Sequence, residues 1–345
     1  MASRAVGIDI GTRTITVAEV REGRGGAVVT NFGGIELPGD VVGGGEVLDA
    51  DAAATALREL LASAKVKTDR VWLGVANPRV VVRQLDLPYM PLVELRTSIR
   101  YQAQEHLPIA VEDAEIDIHP VEDWVTEEGD HLQRVLLVAA HREMLTSHVE
   151  VATRAGLKPM GVDLNCFAVL RAVGNTSPLE QGSEVLVDIG AGVTSVVIHE
   201  AGLPTFVRIL ATGGDTLTES LARGLDLDRT EAEQQKRLCR LGAADPASQL
   251  LTTQVDRFID EIRSSLDYYA AQPGARRLSS VVLSGGAAAL PDLCDRLASS
   301  LRLPVDLARP FDRTNVKDTV YDEYDLREVG PTLATAVGLA LGGLE

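Results

Sequence analysis

The sequence predicts a two-domain α/β fold built from duplicated halves, with a ligand cleft between them. An approximate internal repeat is the main observation. Val6-Gly-Ile-Asp-Ile-Gly-Thr12 returns as Leu186-Val-Asp-Ile-Gly-Ala191, each an apolar strand running into Asp-x-Gly. Both copies continue into a second β-rich run, at 14–20 and 194–199. Each half therefore opens on a β-hairpin whose glycine turn lets the backbone come close to a ligand. Composition agrees: 345 residues, 45% hydrophobic and only 4% aromatic, suit two cores of small and branched side chains.

Between the hairpins, hydrophobic periodicity predicts a helix at 51–63 and strands at 71–75 and 80–87, then the breaker Pro88-Tyr-Met-Pro91. A helix at 92–106 ends before Pro108. A polar, acidic stretch at 113–128 leads to a strand at 134–140, a helix at 143–155, a strand at 158–164 and a helix at 166–173. Residues 84–156 thus carry strand–helix content of their own, and read as a small α+β subdomain inserted in a first domain of 1–176. Asn175–Gly182, with Pro178, reads as the linker. In the second domain, 183–345, a helix at 216–224 follows Thr212-Gly-Gly-Asp215. Amphipathic helices at 229–241 and 248–271 make a helical subdomain at about 221–274. A buried strand at 280–283 ends in Ser284-Gly-Gly286 and precedes a helix at 290–301. Residues 330–342 read as a buried helix with Pro331 in its first turn.

A formal net charge of −17 disfavours broad binding to nucleic-acid phosphates or anionic lipid. It leaves room for one phosphate ligand held by backbone N–H groups and a metal ion. Cys166, Cys239 and Cys294 are widely spaced and match no disulfide framework or zinc spacing, which fits a reducing cytosol. The start resembles no signal peptide, and 329–344 is too short and too rich in Gly and Ala for a membrane span. A soluble, cytoplasmic chain is expected.

The chemistry concentrates in short motifs. Asp9-x-Gly11-Thr12, with Arg13 beside it, presents backbone N–H groups, a hydroxyl and a carboxylate able to hold Mg²⁺ through water. Asp188-x-Gly190-x-Gly192-Val-Thr194 repeats the arrangement. One Asp-x-Gly alone is an ordinary turn; two facing each other can grip a polyphosphate and share one metal between Asp9 and Asp188. Gly213-Gly214-Asp215 would add N–H donors ahead of a helix N-terminus. Gly285, Gly286 and Ala287, at the end of an apolar strand, allow a ribose or α-phosphate to approach. Glu233 and Lys236, three apart, share one helix face and form either a solvated pair or a ligand contact. No Walker-type phosphate loop, His-Glu-x-x-His, Gly-x-Ser-x-Gly or Cys/His metal spacing occurs.

In this order the motifs resemble the actin, DnaK-chaperone and sugar-kinase superfamily, whose actin-like ATPase fold duplicates a ribonuclease-H-like domain. The resemblance implies ATP and Mg²⁺ as cofactors, with Asp9–Thr16 and Asp188–Thr194 as phosphate loops. It implies nucleotide contacts from Gly213, Gly214, Thr218, Glu233 and Lys236, and an adenosine motif at Ser284–Leu290. Connecting helices are expected at Asn165–Val173 and Gly330–Leu341. Leu87-Pro-Tyr-Met-Pro-Leu-Val-Glu-Leu95 and Gln104-Glu-His-Leu-Pro108 are similar to the PilM family of type IV pilus assembly, and more distantly to FtsA. That implies an ATP-binding scaffold at the inner face of the membrane, recruiting the cytoplasmic tail of a PilN-like inner-membrane protein, with self-association possible. FtsA- or MreB-like filaments and a small-molecule kinase are the alternatives. The FtsA type ends in a basic amphipathic helix, which Gly342-Gly-Leu-Glu345 does not resemble. Many relatives carry Lys seven residues after the first Asp; here that position is Thr16. Slow hydrolysis at most is expected, because a missing cation weakens stabilisation of transition-state charge. By position alone, Asp163 and Asn165 are candidates to orient water.

Overall fold

Strand-forming runs of small and branched residues at both ends of the repeat build two sheets of one topology. The computed structural model describes residues 3–105, 107–176, 182–317 and 324–344; Pro178 of the expected linker and His106 lie outside them. In the first domain β1 (Arg4–Ile10) turns back into β2 (Thr14–Gly23), which pairs with β3 (Gly26–Glu36). A two-residue ladder, β4 (Val42–Gly43) with β5 (Glu46–Val47), leads to α1 (Ala50–Ser63). The Asp49 side chain caps α1 by accepting from Asp51 and Ala52 N–H, and Ala53, Ala54, Leu57 and Leu60 form its buried face. Next comes β6 (Arg70–Val75), parallel to β1.

The chain then leaves this sheet for a smaller one. Its order is β7–β9–β8, from β7 (Val81–Pro88), β8 (Ala114–Val125) and β9 (His131–His141). Helix α2 (Leu92–Gln102) covers one face, burying Leu95 and Ile99 against Ile118, Val135 and Leu137. A 3₁₀ turn takes over at Ala103–Glu105, where the helix was expected to continue. The polar, acidic stretch, given no element from sequence, is strand β8: Ala114, Ile116 and Ile118 alternate with Glu115, Asp117 and His119. Helix α3 (Arg142–Arg154), expected within the insert, places Val151 and Ala152 in the core around β1 and α1. Next, β10 (Lys158–Leu164) pairs parallel with β6, and α4 (Asn165–Val173) crosses towards the second half.

The second domain repeats the pattern. Strands β11 (Ser183–Ile189), β12 (Thr194–Glu200) and β13 (Leu203–Leu210) form the antiparallel part. Helices α5 (Gly214–Leu225), α6 (Arg229–Leu238) and α7 (Pro246–Ala270) follow. Next, β14 (Leu278–Ser284) runs parallel to β11, and a 3₁₀ turn precedes α8 (Leu293–Leu301). One helix was expected across 290–301; Pro291 and left-handed Asp292 (φ 64°) divide it. Strand β15 (Val305–Leu307) completes an order of β13–β12–β11–β14–β15, which matches β3–β2–β1–β6–β10 of the first sheet strand for strand. Strand β16 (Asn315–Val316) pairs back with β3, and α9 (Leu326–Gly342) closes the described chain.

Pro331 lies inside α9, not in its first turn, because Asp325 caps the helix earlier by accepting from Arg327 N–H. Helices α4 and α9 lie between the sheets and cross where Gly338 meets the Ala168 carbonyl, with no space for a Cβ. Gly7 of β1 is pressed against α9 in the same way. Leu164, Val169, Leu186, Val197 and Ala334 share one core, so residues from both domains pack around these helices. No helix among the described residues is long and apolar enough to cross a membrane.

Candidate nucleotide-binding site

Both hairpins end in one backbone geometry. Gly11 N–H donates to Thr14 O and Gly190 N–H to Val193 O, each at 3.0 Å. Asp9 lies opposite Thr16 and Asp188 opposite Ser195 in the two ladders. The tips meet: a Cβ on Gly192 would run into the Thr12 side chain. Between them opens a cavity of about 640 Å³. Asp9, Gly11, Thr12 and Arg13 line it from the first domain, and Asp188, Gly190, Gly192, Gly214, Glu233, Lys236, Gly285, Gly286 and Ala287 from the second.

Three expected residues stand elsewhere. Thr218 is buried, its hydroxyl donating to Glu233 Oε2 at 2.7 Å. Thr194 is buried, its hydroxyl donating to the Thr212 carbonyl at 2.8 Å. Gly213 sits behind the second hairpin, where a Cβ would strike the carbonyls of Gly190 and Ala191. Those carbonyls accept from Gly214 N–H (3.0 Å) and Asp215 N–H (2.9 Å). The N-terminus of α5 therefore offers a ligand fewer free donors than the sequence suggests. Asp163 pairs with Arg171 at 3.0 Å and is not among the cavity-lining residues.

The two carboxylates carry the electrostatics of the cleft. Burial, then the charge of Asp188, push the Asp9 carboxyl up to about 7, against a hydrogen bond from Asn165 Nδ2 at 2.9 Å. Burial also raises Asp188, against a 2.7 Å bond from Ser284 Oγ. Two such carboxylates without a counterion are what a divalent cation would relieve. Two further atoms fit that role: Thr16 Oγ1 and Asn165 Oδ1 are buried without a hydrogen-bond partner, and both residues line the cavity. No group of three or more His, Cys, Asp or Glu forms a metal cage among the described residues. A cation here would take most of its ligands from water and phosphate, as Mg²⁺ commonly does.

Glu233 and Lys236 form a half-buried cluster and not a solvated pair. Lys236 Nζ meets Glu233 Oε2 at 2.6 Å, Thr218 Oγ1 at 2.8 Å and the Gly214 carbonyl at 3.2 Å. Burial alone would raise Glu233, but the bonds from Lys236 and Thr218 outweigh it and hold the carboxyl below its ordinary range. At the other end of the cavity Gly285 adopts φ 88° beneath the Ile189 carbonyl and donates to Pro331 O at 2.9 Å. A side chain on Gly286 would meet open space, and Ala289, Leu290 and Thr332 extend an uncrowded wall there.

Sequence reasoning gave Asn165 no bonding role, and it missed Arg229 and Gly74. Asn165 reaches Asp9 because Gly74 of β6 has no side chain in the way. Arg229 pairs with Asp215 at 2.6 Å. The only sequence signals were a glycine within an apolar strand and an arginine at a helix start.

The chain is 27% identical to a chain solved as a PilM–PilN type IV pilus biogenesis complex, with a TM-score of 0.86, covering 99% of this chain and 98% of that one. It has the fold of the ethanolamine utilization protein EutJ from Carboxydothermus hydrogenoformans (17% identity, TM-score 0.59, 98% and 90% covered). It shares that fold also with MreB5 of Spiroplasma citri bound to AMPPNP (13%, 0.54, 97% and 94%). The architecture is thus the actin-like ATPase fold. The cell division protein FtsA of Streptococcus pneumoniae is 23% identical over 388 residues, 97% of this chain and 79% of that protein. Its Bacillus subtilis counterpart is 25% identical over 206 residues, 54% of this chain and 46% of that one. A model of the type IV pilus assembly protein PilM matches residues 7–344, so the chain belongs to the PilM family.

Proposed function

We propose that this chain is a nucleotide-binding scaffold of type IV pilus assembly that receives the cytoplasmic N-terminal tail of a PilN-like inner-membrane protein. The observation that carries the assembly role is the near full-length likeness to a chain solved in complex with PilN. That partner would hold the protein at the inner face of the membrane.

ATP with Mg²⁺ is the ligand that best matches the cleft. Bound there, it would supply a charged triphosphate and a counterion for the paired carboxylates. Asp9 and Asp188 would hold the ion through water, with Thr16 and Asn165 giving their unpartnered oxygens to that shell. Phosphate oxygens would meet the backbone of the Gly190–Gly192 turn, and the open space at Gly286 would take the nucleoside. Thr16 stands where many relatives carry lysine, so that position gives no charge to stabilise phosphoryl transfer. Binding would then outlast turnover, and the nucleotide would act by favouring one disposition of the two domains over another.

The test is titration of a PilN-like N-terminal peptide with and without Mg-ATP, beside single-turnover phosphate release. Tight ATP binding, negligible release and ATP-dependent peptide affinity are expected, and Asp9→Ala should lose the ATP binding and the nucleotide dependence of peptide affinity together. Peptide affinity indifferent to nucleotide would sink the switch but leave the scaffold. The likeness to FtsA favours filaments as a second reading, which ATP-dependent sedimentation would reveal.

A further inference from the structure

Arg13 stands at the tip of the first hairpin, yet its side chain reaches the other domain. Its Nε donates to Asp215 Oδ2 at 2.8 Å, while Arg229 Nη2 meets Asp215 Oδ1 at 2.6 Å. The carboxylate therefore holds two guanidinium groups, one on each oxygen. A phosphate makes the same demand of arginine forks. Asp215 and Arg13 keep only 16% and 30% of their side chains exposed, so water screens this pair less than a surface ion pair. All three residues line the cavity that holds Asp9 and Asp188. Among the described residues lining it, Arg13 is the one cation contributed by the first domain. Lys236, from the second domain, is already tied to Glu233, Thr218 and Gly214.

We propose that Arg13 exchanges between Asp215 and the terminal phosphate of a bound nucleoside triphosphate, so that the Arg13–Asp215 pair distinguishes triphosphate from diphosphate. The inference rests on the nucleotide reading above and adds the residue that senses the third phosphate. With a triphosphate, Arg13 leaves Asp215, which keeps Arg229, and the tie between domains is remade through the phosphate. With a diphosphate, Arg13 stays on Asp215. A cation on the first hairpin is thus present after all, held in reserve by a carboxylate across the cleft.

Calorimetric titration of Mg-ATP and Mg-ADP against the full chain and three variants tests this, with melting curves to confirm that each variant folds. Arg13→Gln should weaken Mg-ATP roughly tenfold or more and Mg-ADP by less than about threefold, as for one charge-assisted hydrogen bond lost. Asp215→Asn keeps the shape and one acceptor but removes the competing charge. It should tighten Mg-ATP several-fold and leave Mg-ADP nearly unchanged. The double variant should then match Arg13→Gln. Equal weakening of both nucleotides by Arg13→Gln would overturn the exchange while leaving nucleotide binding in place. So would loss of Mg-ATP affinity in Asp215→Asn, which would make the pair a plain structural tie. A wild-type chain that binds neither nucleotide would refute the nucleotide reading itself, and the exchange with it.

Discussion

Replacing Asp9 by Asn should make the ligand-free protein more stable, and most of all at neutral or higher pH. The folded carboxyl is raised from 3.8 to about 7 by burial and by Asp188. A raised acid binds its proton more tightly folded than unfolded, so stability falls as pH climbs from about 4 to about 7. At 1.36 kcal/mol per pH unit the full penalty is about 4 kcal/mol, an upper bound. Water entering the cleft and relaxation of Asp188 would reduce it to about 1–2 kcal/mol. An asparagine side chain fits the same space and still offers Asn165 Nδ2 an acceptor. Thermal unfolding in a chelator, at pH 8 and pH 5, is the assay. The Asp9→Asn variant is expected to melt above wild type at pH 8, with the gap more than halved at pH 5, and to bind Mg-ATP poorly. An equal gap at both pH values would mean that packing, not ionisation, separates the proteins. A loss of stability at pH 8 would refute the electrostatic account of the cleft outright.

Three further substitutions probe other parts of the site. Gly285→Ala forces a side chain onto φ 88° against the Ile189 carbonyl, and should cost about 2 kcal/mol or more in urea unfolding, with Mg-ATP affinity falling too. Lys236→Met leaves half-buried Glu233 without its main partner and should cost about 1–3 kcal/mol at pH 7, less than for a fully buried pair. Because Glu233 is held below 4.5, that stability is present above pH 4.5 and lost as pH falls through the lowered value. Acid unfolding of the variant should therefore lack this step. Thr16→Lys restores a cation beside Asp9 and should speed single-turnover phosphate release at least about tenfold; an unchanged rate would mean the lysine is not what limits turnover.

The features that read most clearly in the sequence were those that only one residue type can satisfy. Asp-x-Gly twice, and Gly-Gly after an apolar strand, mark backbone that must come close to something, and both sit in the cleft. Strand β8 was obscured because acids stand at several of its exposed positions, so Glu115 and Asp117 hide the alternation of Ala114, Ile116 and Ile118. Strands β3 and β13 were passed over as well, β3 because Gly33-Gly34 breaks a run that partners on either side restore. The pairings that tune the site were beyond reach. Asn165 meets Asp9 from 156 residues away, and Asp215 meets Arg13 from 202 away. The first pair meets within one domain across Gly74, and the second depends on how α4 and α9 set one domain against the other; no local pattern encodes either.

The duplication also explains why the halves do different things with one backbone. Aligned on their aspartates, Gly11-Thr12-Arg13-Thr14 overlies Gly190-Ala191-Gly192-Val193, and the closing hydrogen bonds have the same length. Position for position, Arg13 corresponds to Gly192. The first hairpin puts a charged arm where the second has no side chain, and the second tip has no Cβ to strike Thr12. Were both tips to carry long side chains they would collide at the mouth of the cleft; were both bare, nothing would bridge it. One copy therefore supplies the reach across to Asp215 and the other the clearance at the point of contact. A symmetric fold gives two carboxylates facing one cavity, and the asymmetry at a single position ties the two domains together there.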